Sequence, residues 1–275
     1  MIVIKPQDNL SSVLFIPHGG GPLPLLGDPG HQQLINFLQG ISARIQTPSA
    51  ICVISAHWEE SRVTITSGKS PVLIYDYYGF PESAYAVQYP APGSPDLAHK
   101  IFTALQQNGI NTRLDEQRGF DHGLFVPLKL MFPDATIPCV QLSLLKNLNP
   151  ADHIAIGKAL RPLRQDNVLF IGSGFSFHNM RAFFSNHPGL DKQNIAFEEW
   201  LIDTCTNQTL SFDERASRLI GWIHAPAARY CHPREEHLLP LHVCAGLSDE
   251  AAELMFEGEI LGKRTCALIW SICSP

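Results

Sequence analysis

Apolar residues along this chain follow two alternating patterns. In the first they form short unbroken runs, at Ser12–Pro17 (SVLFIP), Ala50–Ser55 (AICVIS), Ile137–Leu142, Val168–Gly172 and Ala267–Ile272. Continuous apolar runs of this length predict strands covered on both faces. In the second pattern apolar residues recur every three or four positions. His31–Arg44 carries Leu34, Ile35, Leu38 and Ile41 at helical spacing. A second helix is predicted to open at Ser94-Pro95-Asp96, with Ser94 as cap and Pro95 in the first turn. It buries Leu97, Ile101, Phe102 and Leu105 and closes at Gly109. Asn149-Pro150 opens a third in the same way, and Gln193–Leu210 and Glu235–Ala245 read as a fourth and fifth. Strands alternating with helices predict an α/β layered domain.

No internal repeat, low-complexity segment or linker interrupts the pattern, so residues 1–275 read as one domain. Tyr89-Pro90-Ala91-Pro92-Gly93 reads as an ordered loop rather than a boundary. Hydrophobic residues make up 45% and charged residues 17%, a globular balance that excludes disorder. The net charge of −6, without any basic run, argues against nucleic acid as a partner. No apolar stretch approaches the roughly 20 residues that span a bilayer, so no membrane partner is expected. The opening MIVIKPQDNL lacks the apolar core and cleavage site of a signal peptide. The 7 cysteines are widely spaced with no CxxC pair. That argues against a disulfide framework and a cysteine zinc site, and for a reducing, cytoplasmic setting.

Common cofactor motifs are missing. Gly172-Ser173-Gly174 follows a predicted strand, but Phe177 stands where a dinucleotide fingerprint needs its third glycine. There is no phosphate-cradling GxxxxGK[ST], no GxSxG elbow and no HExxH helix. What stands out instead is histidine, 12 in all. His18 follows the first predicted strand and precedes three glycines, and His57 follows the second. A tight turn would explain the one and a structural histidine the other. Two in the same architectural position point to a crevice beyond the strand ends. His178 stands at a third such junction, where metal ligation and acid–base work are equally open. His122 lies in Gly119-Phe120-Asp121-His122-Gly123, as a loop histidine oriented by a neighbouring group or as part of a helix cap. Among His232, His237 and His242, His237 has the best setting, behind two acids. On a helix, His237 and His242 would point about 140° apart, so His242 is expected to pack rather than ligate. His31, His99, His153, His187 and His224 lack such a context.

Imidazoles from distant strand ends, with coordination positions left open, describe a catalytic metal site rather than a closed structural one. With His237 as third protein ligand, the set is all imidazole and leaves the charge of a dication uncompensated, which favours an anionic substrate such as a catecholate and also fits zinc.

At these residues the chain resembles the class III extradiol ring-cleavage dioxygenases, in the branch of 4,5-DOPA dioxygenase-like proteins. The resemblance is carried by His18-Gly19-Gly20, Ser55-Ala56-His57-Trp58, Tyr78-Gly79-Phe80-Pro81 with Tyr85, and Tyr89-Pro90-Ala91-Pro92-Gly93. It continues through Gly119-Phe120-Asp121-His122-Gly123, His178-Asn179, and Glu236-His237 followed by Pro240-Leu241. The segments keep family order over nearly the whole chain. The resemblance implies an α/β fold, a single domain with a central mixed β-sheet flanked by helices on both faces. It implies one divalent metal ion on His18, His57 and His237, Fe(II) for ring cleavage or Zn(II) as bound. His178 is then either a further ligand or the acid–base residue, and His122 contacts substrate or oxygen. The implied reaction opens a catechol-type ring with O2 beside a hydroxyl, with His178 or His122 supplying a proton. A non-enzymatic metal- or peptide-binding relative and a zinc-dependent hydrolase are the competing readings. Many relatives read glycine-histidine-glycine-serine-proline near the start, where this chain reads Pro17-His18-Gly19-Gly20-Gly21-Pro22. The ligand is kept while the substrate-facing loop differs. No heptad seam or other interface signature speaks to oligomeric state.

Overall fold

The computed structural model describes residues 10–183 and 191–270. His187, Cys273 and the end of the predicted strand at Ser271 and Ile272 lie outside the described residues. Eight strands are described: β1 (Val13–Pro17), β2 (Ala50–Glu60), β3 (Val63–Thr66), β4 (Thr112–Asp115), β5 (Cys139–Leu145), β6 (Val168–Gly174), β7 (Glu253–Ile260) and β8 (Lys263–Trp270). They form one sheet in the order β4-β3-β5-β2-β6-β1-β8-β7. The middle four, β5, β2, β6 and β1, run parallel and are the four apolar runs of the first half of the chain and its centre. β3 and β8 join them antiparallel on either side, which makes the sheet mixed.

Helices cover both faces. The helix Leu239–Gly246 packs on β6, β1 and β2 and against the helix Pro150–Leu160, while the helix His122–Met131 packs on β2 and β6 with Gln32–Ile41 beside it. The predicted caps are present: Ser94 accepts from the Leu97 N–H, and Asn149 from those of Ala151 and Asp152. Gly109 closes its helix at φ +73°. The six described cysteines are free and buried. No helix among the described residues is long and apolar enough to cross a membrane.

Four expectations change. β2 does not end at Ser55 but runs to Glu60, with its ladder to β5 shifting register between Ile54 and Glu59. His57 therefore sits in an interrupted stretch of strand, where a bulge re-aims a side chain, and not in a loop beyond it. Gly172-Ser173-Gly174 likewise does not follow the strand but forms the end of β6. The fifth helix starts at Leu239 rather than Glu235, with Pro240 in its first turn. The sequence pattern also gave no sign of β3 and β4, which are short, or of β7, a largely polar edge strand.

Candidate metal centre

Parallel strands put their carboxyl ends on one edge of the sheet. Pro17 of β1 pairs with Gly174 of β6, and Ser55 of β2 pairs with Ser173 of β6. The next residues after β1 and within the bulge of β2 are His18 and His57, whose Nε2 atoms stand 3.0 Å apart. The His18 N–H donates to the Gly174 carbonyl (3.2 Å), extending the ladder by one bond. Its Nδ1 meets Ser173 Oγ at 3.1 Å, and that hydroxyl donates to the Gly123 carbonyl. Beyond His18 the chain turns through Gly19 at φ +85°, a conformation costly for any residue with a Cβ. The turn is fastened by His31, which was assigned no role from sequence: its Nε2 accepts the Gly20 N–H (2.9 Å) while Nδ1 donates to Asp28 (2.7 Å).

His122 opens the helix His122–Met131, capped by Asp121. The loop and cap readings thus describe one residue. The acid that orients its ring is not the adjacent Asp121, which is buried and bonded to Ser55, Arg118 and Gln141. It is Asp76, 46 positions away, whose Oδ1 accepts both the backbone N–H (3.0 Å) and the ring Nδ1–H (2.8 Å) of His122. Asp76 Oδ2 lies 3.7 Å from His57 Nδ1. His237 stands in the turn before the helix Leu239–Gly246, and His178 stacks on it with ring centroids 3.4 Å apart. A single oxygen, Glu236 Oε1, lies 3.1 Å from the Nδ1 of each. The turn is drawn in by Gly174, where a Cβ would run into the His237 carbonyl oxygen, and by the Phe175 N–H donating to that oxygen (2.9 Å).

All five singled-out histidines therefore meet. Ring centroids of His237 lie 5.2 Å from His18 and 4.9 Å from His57, and those of His57 and His122 are 3.9 Å apart. Their ligand-capable atoms fall into two groups, each within 4.8 Å: His18, His57 and His122, and His178, Glu236 and His237. The expected ligand trio draws from both. Asp76 and Ser173 carried no sequence signal, since nothing local links them to a histidine. By contrast, His153, His232 and His242 are buried and bonded to backbone carbonyls, and His99 is exposed.

Burial and the neighbouring imidazoles hold His18 and His57 well below the usual histidine range, and His237 at about 3. Burial would raise Asp76, but the hydrogen bond and charge of His122 outweigh it and keep the carboxyl low. Burial likewise opposes ionisation of Glu236, and the bonds from His178 and His237 overcome it. His18, His57 and His237 are thus neutral lone-pair donors, the first and last of them backed by a partner at Nδ1. The Nε2 atoms of His18 and His57 face each other at 3.0 Å. Two nitrogens at about 2.1 Å from one ion stand roughly 3.0–3.4 Å apart, so His18 and His57 fit as donors to one divalent metal. Above it opens a cavity of about 500 Å³, lined largely by apolar side chains and the five histidines.

Comparison with known proteins places this geometry. Residues 12–266 match the family model described as the catalytic LigB subunit of aromatic ring-opening dioxygenase. A protein named dioxygenase tasH from Hapsidospora irregularis is 39% identical, over 95% of this chain and 86% of its own length. The 4,5-DOPA dioxygenase extradiol of Beta vulgaris is 36% identical over 89% of both chains. That of Escherichia coli K12 is 32% identical over 91% of this chain and 90% of its own. A solved structure of an uncharacterized protein from Escherichia coli K12 superposes with a TM-score of 0.76 at 28% identity, covering 95% of this chain and all of its own.

Proposed function

Because this chain belongs to the family of the catalytic LigB subunit of aromatic ring-opening dioxygenases, we propose that it opens a catechol-type ring with O2 by extradiol cleavage. We place one divalent metal ion on His18, His57 and His237, Fe(II) for turnover, with Zn(II) able to occupy the same donors. The observation that carries the reading is the convergence of imidazoles from five separate segments on the floor of one apolar cavity.

The metal, when bound, supplies a template for the two catechol oxygens and a path for electrons to O2. The protein's own groups do the rest. Ser173 fixes the His18 ring through Nδ1, and Glu236 does the same for His237. These bonds aim the Nε2 lone pairs inward and raise their basicity. His122, with Nδ1 committed to Asp76, has Nε2 left to hold or give up a proton at the substrate oxygen. His178 shares Glu236 with His237 and stands either as a fourth ligand or as the acid–base partner. The apolar walls keep bulk water from competing for the activated centre.

The test is anaerobic loading of the metal-free protein with Fe(II), followed by oxygen-electrode and absorbance measurements across a catechol panel. Stoichiometric O2 uptake with a yellow ring-fission product is expected, and chelation abolishes it. No uptake with any catechol by fully loaded protein would sink the reading.

A further inference from the structure

Resting on the ring-opening reading, we infer that the cavity selects catechols bearing an uncharged, apolar substituent and discriminates against those bearing a carboxylate. No lysine or arginine lines the cavity among the described residues. The sequence that follows its wall residue Phe183, from Phe184 to Leu190, contains neither. Two cations elsewhere in the fold are engaged with acids. Arg234 meets both oxygens of Glu59 at 2.6 Å, and Lys263 lies 2.8 Å from Asp191. Arg181 shares a short helix with the lining residues Met180 and Phe183 but is exposed and outside the lining.

Charge balance points the same way. The sequence suggested an all-imidazole site with its dication uncompensated. Asp76 and Glu236, bonded directly behind the imidazoles, instead bring negative charge to set against a dication, part of it offset by Arg234 at 3.4 Å from Glu236. A catecholate adds to that total, and a further carboxylate on the ring finds no counter-charge. Of the two tyrosines in the wall, Tyr77 spends its hydroxyl on the Ala84 carbonyl at 2.6 Å and Tyr78 is exposed at the mouth. Beyond the histidines, the tyrosines and the glycine turn, the wall is Leu23, Phe80, Phe175, Met180, Phe183 and Leu261. An apolar cavity of about 150 Å³ already holds benzene, so about 500 Å³ leaves room for a substituent of some bulk. Moving a carboxylate from water onto such a wall without a partner is penalised heavily.

The experiment uses the zinc-loaded full chain at neutral pH, titrated calorimetrically with protocatechuate, its methyl ester and isopropylcatechol. The ester and isopropylcatechol are expected to bind at least about tenfold more tightly than the acid. Equal or tighter binding of the acid, or no binding of any of the three, overturns the inference. The same compounds given to iron-loaded protein separate the two levels. O2 uptake that favours the acid refutes the selectivity and leaves ring opening intact. No uptake at all, with the calorimetric ranking preserved, refutes ring opening and leaves the selectivity. Met180→Arg and the exposed Tyr78→Arg each place a cation at the mouth, and at least one should narrow the ester-to-acid ratio severalfold. An unchanged ratio in both variants counts against the proposal.

Discussion

Two groups of buried or half-buried histidines in this molecule do opposite things. In the body of the fold, His153 spends both ring nitrogens on backbone, donating from Nδ1 to the Asn149 carbonyl and accepting the Leu145 N–H at Nε2. His232 and His242 bond the carbonyls of Ser176 and Leu219 through Nε2. At the sheet edge, His18, His122, His178 and His237 are held through Nδ1 by a hydroxyl or a carboxylate. That leaves Nε2 uncommitted to the backbone. Neither burial nor histidine content separates the groups. The destination of the second ring nitrogen does, and it is set by acids and hydroxyls far away in sequence.

The largest expected contrast comes from one substitution in each group. His57→Ala should lower metal affinity by more than about 100-fold, beyond the loss of a supporting carboxylate, with the far-ultraviolet circular dichroism retained. His242→Ala should keep metal stoichiometry by elemental analysis and lose about 2–4 kcal/mol of stability from a cavity and an orphaned carbonyl. Full metal occupancy in the His57 variant would remove that residue from the site. Next in size is Glu236→Gln, which breaks the shared acceptor of His178 and His237. A drop of about 10–100-fold in metal affinity is expected, and wild-type affinity would show that the carboxylate positions nothing.

A smaller effect should appear in the pH dependence of stability. Burial lowers His153 to about 4 and His232 to about 3 in the folded protein. Below about pH 6.5 the unfolded chain therefore binds more protons than the folded one, and stability falls as pH drops from 6.5 toward 4. One such histidine contributes on the order of 2 kcal/mol by pH 5. Thermal melts of wild type and His153→Gln should diverge between pH 7 and pH 5, with the wild type falling faster. Parallel slopes would contradict the assignment of His153 as a buried neutral ring. The smallest change belongs to Arg234→Ala at the rim. Its exposed pairing with Glu59 is worth less than about 1 kcal/mol, so a melting shift near the resolution of calorimetry is expected.

Much of the fold was legible because the four parallel strands are unbroken apolar runs and the capped helices carry Ser94-Pro95 and Asn149-Pro150 signals. The five histidines could be read from their positions at strand ends and beside acids, and the family resemblance grouped them. The rest was not local. The bulge that aims His57 arises from pairing with β5, which no property of Ala50–Glu60 alone reveals. Asp76 lies in a segment without regular structure, among tyrosines, and becomes visible only when the chain brings it against His122. His31 likewise gains its task only once the glycine turn folds over it.

Gly174 joins these pieces without contributing a functional group. Its carbonyl takes the amide of His18, while the space where its side chain would be is filled by the backbone of His237. Two candidate ligands separated by most of the chain's length are thus spaced by a residue whose contribution is to occupy no room. Even one added methyl there would act as a wedge between them, so the tolerance of the whole centre is set at a position that a survey of reactive side chains would pass over.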